Sequence, residues 1–426
     1  MSLREKRREL DLVRTMREVK GNPKICLVTE PLWTIPFSLY TPFVSVYMAA
    51  LLLTDSQIGL VASIFMLFSA IMALFSGAIT DKLGRKKATF IFDMLSWTIP
   101  CLLWAFSQNF WWFAAAAALN GMMQITTVSW TCLLVEDVQK GYMAKVYSLL
   151  HMISQLSIMF MPVAFIMVNR LSLIPAMRII FIFSAISMTL KFIILFKFGD
   201  ETEVGRTRMK ETKGMSVLQI MGGYGEILRR LFASKSMVLS LVITTIFSIL
   251  GMVTTNFFGL YVTGTLLIPE YFLAIFPVIR AVVIAAFLIF IQPRLQRFGF
   301  RSPMLIGLII HIIGMAILIA TPSYGAMLSL IIYILIDALA FSLVMPRSDS
   351  LTQLLIEPSE RARIRGLMMV IVLSLSIPFG YISGVLSDLD RRLPFVLCIA
   401  LLIITFIVIA SNKQRLAEMS KQENME

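Results

Sequence analysis

Gly77-Ala-Ile-Thr-Asp81-Lys82-Leu-Gly84-Arg85-Lys86-Lys87 joins two long apolar segments, residues 57–80 and 87–107. Each residue type in it has a mechanical use. Gly77 permits close approach of a neighbouring helix, and Asp81 at a helix end can pair with a nearby arginine or cap a helix. Gly84 allows a sharp turn, which the basic run Arg85 to Lys87 anchors at a membrane face. Taken as chemistry, the stretch is a latch between two spans.

The rest of the chain has the composition of a membrane protein. Of its 426 residues 58% are hydrophobic and 15% charged, where a soluble domain carries about 25% charged residues. With a mean hydropathy of +0.84, most of the chain requires the bilayer as its solvent. A spanning window finds apolar segments at 25–51, 57–80, 87–107, 110–135, 142–168 and 172–197. Six more follow at 237–263, 270–292, 302–320, 324–346, 364–386 and 393–411. An even total puts both termini on one side. The expected fold is all-α and integral to the membrane.

Basic residues orient it. All but six of the 38 Lys and Arg fall in the termini and in alternate connections, the exceptions being Arg170, Arg178, Lys191, Arg280, Arg391 and Arg392. By the positive-inside rule both termini are expected in the cytoplasm, with the chain in the cell (plasma or inner) membrane. The net charge of +13 is spread over short loops beside spans, so it reads as topogenic and no nucleic-acid partner is expected. Residues 1–24 are charged throughout, and no cleaved signal peptide is expected. Cys26, Cys101, Cys132 and Cys398 lie in apolar runs without metal-ligand spacing, which argues against a disulfide framework or a metal site. With neither an H-E-x-x-H motif nor a nucleotide-binding P-loop, an enzyme or ATP-driven pump is not expected, nor is an organic cofactor.

The spans divide into two halves. SWTCLLVE at 129–136 returns as SLTQLLIE at 350–357, and DKLGRK at 81–86 is echoed by QRFGFR at 296–301. Repeats of one orientation are related by a pseudo-two-fold axis along the membrane normal. The expected organisation is a cytoplasmic tail (1–24), a six-helix bundle (25–198), a linker (199–236), a second six-helix bundle (237–411) and a cytoplasmic tail (412–426). Ile220, Ile227, Leu228 and Leu231, beside Arg229 and Arg230, give the linker an interfacial amphipathic helix.

Gly77 to Lys87 fills every position of G-x-x-x-D-[RK]-x-G-[RK]-[RK] and so resembles the signature loop of the major facilitator superfamily. Twelve spans, cytoplasmic termini, a long central linker, the TDSQIGL connection at 54–60 and the degenerate second copy after span eight are similar to that family too. The resemblance implies alternating access by two six-helix bundles about a central site. It implies also that Asp81, Arg85 and Glu136 form a charge cluster with Gly77, Gly84 and Lys86 in the latch, and that Glu357 holds the equivalent place in the second half. Two features depart from the family's drug–proton antiporters. Ala117 stands where they carry an arginine four residues before a glycine, and Pro162 lacks their flanking glycines.

In such a fold spans one, four, seven and ten line the pathway. Span four offers Asn120, Gln124, Thr127 and Thr131 on one helical face, and span seven Ser240, Thr244 and Ser248. Asn256 and Asp337 add polar groups. Span one, with prolines at 31, 36 and 42, is expected to bend and to present Trp33, Phe37 and Tyr40 as an aromatic wall near Glu30. Arg280 and Asp337 lie too deep in spans eight and ten to reach water and are expected to pair. Glu30, Asp93, His151, Arg280 and Asp337 are the candidates for coupling to an ion, the proton first. His311 reads as a helix–helix hydrogen-bond partner, and Lys191 and Arg178 as snorkelling to the interface.

The expected activity is secondary transport of a small molecule across the lipid bilayer. The aromatic first span and 28 methionines favour export of amphipathic or lipophilic compounds. Uptake of a polar metabolite through Asn120, Gln124, Asn256 and Asp337 is the alternative, and a transporter-like receptor or scaffold a more distant one.

Overall fold

The computed structural model describes residues 16, 18–138, 142–221, 224–295, 299–323, 326–354 and 361–413. Among them every regular element is a helix. In chain order these are α1 (Asn22–Thr29), α2 (Pro31–Tyr40), α3 (Val44–Ala50), α4 (Asp55–Leu83), α5 (Arg85–Asp93), α6 (Ile99–Ala105), α7 (Phe110–Asn120) and α8 (Met123–Val135). Next come α9 (Met143–Ile158), α10 (Met161–Leu171) and α11 (Leu173–Phe198), followed in the linker by α12 (Glu203–Glu211), α13 (Val217–Ile220) and α14 (Tyr224–Ala233). The second half holds α15 (Lys235–Gly264), α16 (Ile275–Phe290), α17 (Gln292–Leu295), α18 (Arg301–Ala320), α19 (Ala326–Leu354), α20 (Arg361–Leu389) and α21 (Leu393–Ser411).

Ten stretches of helix among the described residues are long and apolar enough to cross a membrane. The other two expected spans are interrupted. In span one Pro31 opens α2 and Pro42 occupies a single 3-10 turn, Thr41–Phe43, before α3, because a proline supplies no N–H to the helix ladder. Span four breaks between α7 and α8 at Gly121 and Met122. Span three bulges as well: Met94–Thr98, directly after Asp93, forms a π-helical turn between α5 and α6, a distortion that often marks functional positions.

Two compact units form. Unit 1 comprises Met1–Thr41, Phe68–Met167 and Ile174–Gly222, and unit 2 comprises Pro42–Leu67, Val168–Leu173 and Gly223–Glu426. In this division the first part of α4 belongs with the second half of the chain. The reason is a helix crossing inside unit 2 at which no side chain fits. A Cβ on Gly59 would stand 2.3 Å from the Gly380 carbonyl oxygen. Beside it the Ser63 hydroxyl donates to the Ile377 carbonyl at 2.7 Å and accepts from the Tyr381 amide at 2.9 Å.

The amphipathic linker helix is α14, where Leu231 is buried while Arg229 and Phe232 are exposed. Ile220 does not share it. Ser216 and Gln219 form a capping box that opens the separate short helix α13, and Ile220 closes that helix.

Candidate functional site

The signature loop is held by a network within unit 1. Gly84, with φ at +83°, turns the chain between α4 and α5 and delivers Arg85 to the first turn of α5. Arg85 is buried, with Nη1 2.9 Å from Asp81 Oδ1 and Nη2 3.2 Å from Glu136 Oε1. The structure thus brings Asp81, Arg85 and Glu136 together. Lys86 lies over the Phe196 ring at 5.1 Å, and Gly77 sits half-buried within α4. Glu357 lies outside the described residues.

Two linker residues complete the network and were not singled out in the sequence. The Glu201 carboxylate accepts from the Arg85 and Lys86 amides at 2.9 and 3.0 Å, capping α5 from a position more than a hundred residues away. Thr202 donates to Glu136 Oε2 at 2.5 Å while accepting from the Gly205 amide as the N-cap of α12. At the end of α12 the Thr212 hydroxyl lies 3.3 Å from the Asp81 carbonyl. The linker packs so closely that a Cβ on Gly84 would stand 2.6 Å from both Glu201 Oε2 and Met209 Sδ. Thr202 was legible as a helix-start residue. Glu201 carried no local signal.

The second constellation of unit 1 lies around α2. Glu30, at the break between α1 and α2, is buried and accepts from Lys191 Nζ at 2.7 Å. Lys191 is only 4% exposed, and its ammonium lies 5.1 Å from the Trp130 ring and 5.6 Å from the Trp33 ring. The expectation that Lys191 snorkels is therefore corrected: a carboxylate partner and two indole faces replace water around the charge. Arg178 turns inward also, with Nη2 3.5 Å from the Ser107 carbonyl. Asp93, the last residue of α5, is buried in electrostatic reach of Glu30 and Lys191, with Thr126 beside it.

From Trp33 the aromatic side chains run on through unit 1. Trp33 stacks on Phe37 at 4.8 Å and meets Trp97 edge-on at 4.9 Å. Phe37 reaches Tyr40 at 5.6 Å, and Tyr40 reaches Trp104 and Phe181 at 5.8 and 5.3 Å. Trp33 and Phe37 are half-exposed and Tyr40 is buried, so the wall has an accessible end and a packed end.

The polar stripe of span four is not continuous. Asn120 ends α7 and donates to the Ser96 carbonyl at 2.7 Å, joining two helices, while Gln124 is buried in α8. Thr127 and Thr131 bond the carbonyls of Met123 and Thr127 in their own helix. His151 is exposed on α9.

In unit 2 Arg280 and Asp337 pair as the sequence implied, with Nε 2.8 Å from Oδ2. Phe341 lies under the guanidinium at 4.5 Å. His311 Nε2 approaches Asp337 Oδ1 to 3.2 Å, off the line of a hydrogen bond. Arg280 keeps 38% of its side chain exposed whereas Asp337 keeps 11%. Asn256 donates to the Met252 carbonyl of its own helix, and Thr244 does likewise to Ser240.

A second ion pair of unit 2 went unrecognised in the sequence. Asp55, first in α4, binds Arg391 Nε at 2.8 Å and the Ser387 hydroxyl at 2.7 Å. Asp388 in turn accepts from the Asp55 and Ser56 amides at 2.9 and 3.0 Å.

Helices of spanning length, some of them interrupted and several carrying paired charges among apolar residues, define a polytopic membrane protein. A family model described as the Major Facilitator Superfamily matches residues 34–381, and the chain belongs to that superfamily. Solved structures agree on the fold. The nucleoside transporter NupG superposes with a TM-score of 0.71 at 15% identity, covering 92% of this chain and 99% of that one. A bacterial homologue of the iron transporter ferroportin gives 0.67 at 13% identity over 92% of this chain and 98% of its own. Among curated relatives, the multidrug resistance protein MdtG of Serratia proteamaculans (strain 568) is 39% identical over 92 residues, and that of Yersinia enterocolitica matches to the same degree. Those alignments span 20% of this chain and 22% of the relative, well under half the length of either.

Proposed function

We propose that the protein exports amphipathic or lipophilic small molecules across the cell membrane by alternating access, driven by an ion gradient, with both termini in the cytoplasm. The observation that carries this reading is the aromatic wall, whose half-exposed end at Trp33 and Phe37 adjoins the buried Glu30 and Lys191 pair. Flat apolar rings bind varied lipophilic cargo without demanding a fixed hydrogen-bond pattern. The partial relatives named as multidrug resistance proteins support the same reading.

Uptake of a polar metabolite draws less support. Asn120, Asn256 and Asp337, three of the four residues that would recognise such a substrate, bond protein partners. The latch of Gly77, Asp81, Gly84, Arg85, Lys86, Glu136 and the linker residues Glu201 and Thr202 would hold one conformation of the cycle.

Reconstituted protein decides between the readings. In proteoliposomes with an imposed pH gradient, export predicts protein-dependent movement of tetraphenylphosphonium or ethidium. Movement of a sugar, nucleoside or organic acid with no effect on the lipophilic cations would overturn it.

A further inference from the structure

Two groups of charged residues lie among the helices, and they differ in charge balance. In unit 2 Arg280 and Asp337 cancel, with the His311 ring beside them. In unit 1 Glu30 and Asp93 contribute two negative charges and Lys191 one positive, which leaves a net charge of −1 when all three are ionised. Both carboxylates are buried, and an unmatched charge in such a place is retained only if a counter-charge joins it.

We infer that Glu30, Asp93 and Lys191 form a binding site for one exchangeable proton, and that Trp33 couples it to the aromatic wall. This deepens the export reading and rests on it for the identity of the cargo, though not for the proton. The charged and titratable groups facing the site come from every helix around it: Cys26 from α1, Glu30 at the α1–α2 break, Asp93 from α5 and Lys191 from α11, while Trp130 from α8 adds a ring face.

The chemistry needs no other reactant. A proton from water forms one O–H bond on a carboxylate of the pair, and the remaining carboxylate keeps Lys191. On release the O–H bond breaks, the proton returns to water, and the ammonium faces two carboxylates. Trp33 touches both partners, with one face towards Lys191 at 5.6 Å and stacking on Phe37 at 4.8 Å. A shift of Lys191 between Glu30 and Asp93 therefore moves the first ring of the wall. The π turn that follows Asp93 carries Trp97, which packs edge-on against Trp33.

Infrared spectroscopy of the full-length protein in lipid bilayers tests this, because the C=O stretch of a protonated carboxyl is resolved from that of a carboxylate. Wild type should show a carboxyl band whose intensity depends on pH. Asp93→Asn or Glu30→Gln should remove or displace that band, while Asp93→Glu and Asp337→Asn should retain it. If wild type has no titrating band, or if the band survives both Asp93→Asn and Glu30→Gln, the proton site is wrong. Transport of tetraphenylphosphonium is scored separately. Its absence together with an intact, Asp93-dependent band would remove the cargo reading and leave the proton site standing.

Discussion

Removing the Glu201 carboxylate should free the linker from the signature loop. Its two oxygens accept from the Arg85 and Lys86 amides at 2.9 and 3.0 Å, and both amides belong to the first turn of α5, where no carbonyl of the helix can reach them. A hydrogen bond to a charged group contributes about 1.5–3 kcal/mol, and a carboxylate at a helix N-terminus gains about 0.3–1 kcal/mol from the helix dipole. The two bonds share one carboxylate and are not additive, so we take about 2–3 kcal/mol for the site as a whole. Glu201→Gln keeps one acceptor oxygen but turns an N–H towards a donor, so about half of this is lost.

At about 1.4 kcal/mol per factor of ten, Glu201→Ala should raise the population of linker-undocked molecules by roughly 30- to 150-fold, and Glu201→Gln by roughly tenfold. Thr212 reports on it, since its side chain is buried against the Asp81 carbonyl when α12 is docked. With Thr212→Cys in a Cys132→Ser background, the rate of maleimide labelling follows the opening equilibrium wherever reclosing outpaces the reagent. A labelling rate in Glu201→Ala within about threefold of the parent, which corresponds to less than 1 kcal/mol, would refute the capping argument.

The remaining expectations concern the other constellations. Lys191→Met leaves Glu30 buried without its partner and should lower stability by about 3–5 kcal/mol, most of it recovered in Lys191→Met/Glu30→Gln; thermal unfolding in detergent reads both, and equal losses in the single and double variants would count against a working pair. Gly59→Ala should cost about 1–3 kcal/mol because its Cβ meets backbone rather than a movable side chain, so an unchanged unfolding midpoint would mean that the α4–α20 crossing is looser than it looks. Trp33→Ala should weaken tetraphenylphosphonium binding by about tenfold, while Trp33→Phe stays within about threefold. Equal affinity in calorimetry for Trp33→Ala and wild type would take Trp33 out of the pathway. Arg280→Gln should destabilise more than Asp337→Asn, since the first strands a buried carboxylate and the second leaves a half-exposed guanidinium; the reverse order of midpoints would show that Asp337 is not held as an anion by Arg280.

Much of this molecule was legible in its sequence, for identifiable reasons. Spanning helices follow from hydropathy, which is a local property, and the signature loop follows from a fixed spacing. Arg280 and Asp337 were read as partners because both lie near the middle of a span. Lys191 was misread by the same logic applied at a helix end, where a long side chain has a choice between the interface and a partner. That choice was decided by Glu30, 161 residues away. The span-four stripe assumed an unbroken helix, and no local signal showed the turn at Gly121 and Met122 or the Ser96 carbonyl to which Asn120 donates.

The least legible features are the two that fasten α4 at its ends, and they share one construction. At its end in unit 1 an Asp–Arg pair, Asp81 with Arg85, stands beside Glu201, which caps the following helix. At its start in unit 2 an Asp–Arg pair, Asp55 with Arg391, stands beside Asp388, which caps α4 itself. In each place a carboxylate from a distant segment satisfies two amides that a helix start cannot satisfy internally, and a buried or half-buried arginine neutralises the aspartate nearby. Only the first is announced by a motif, because its aspartate and arginine lie four residues apart. The second joins residues 336 positions apart, so nothing in the local pattern of TDSQIGL shows that Asp55 has a partner. The sequence could supply a helix with an acidic residue near each end, but the arginines and capping carboxylates that turn those acids into fastenings come from the fold.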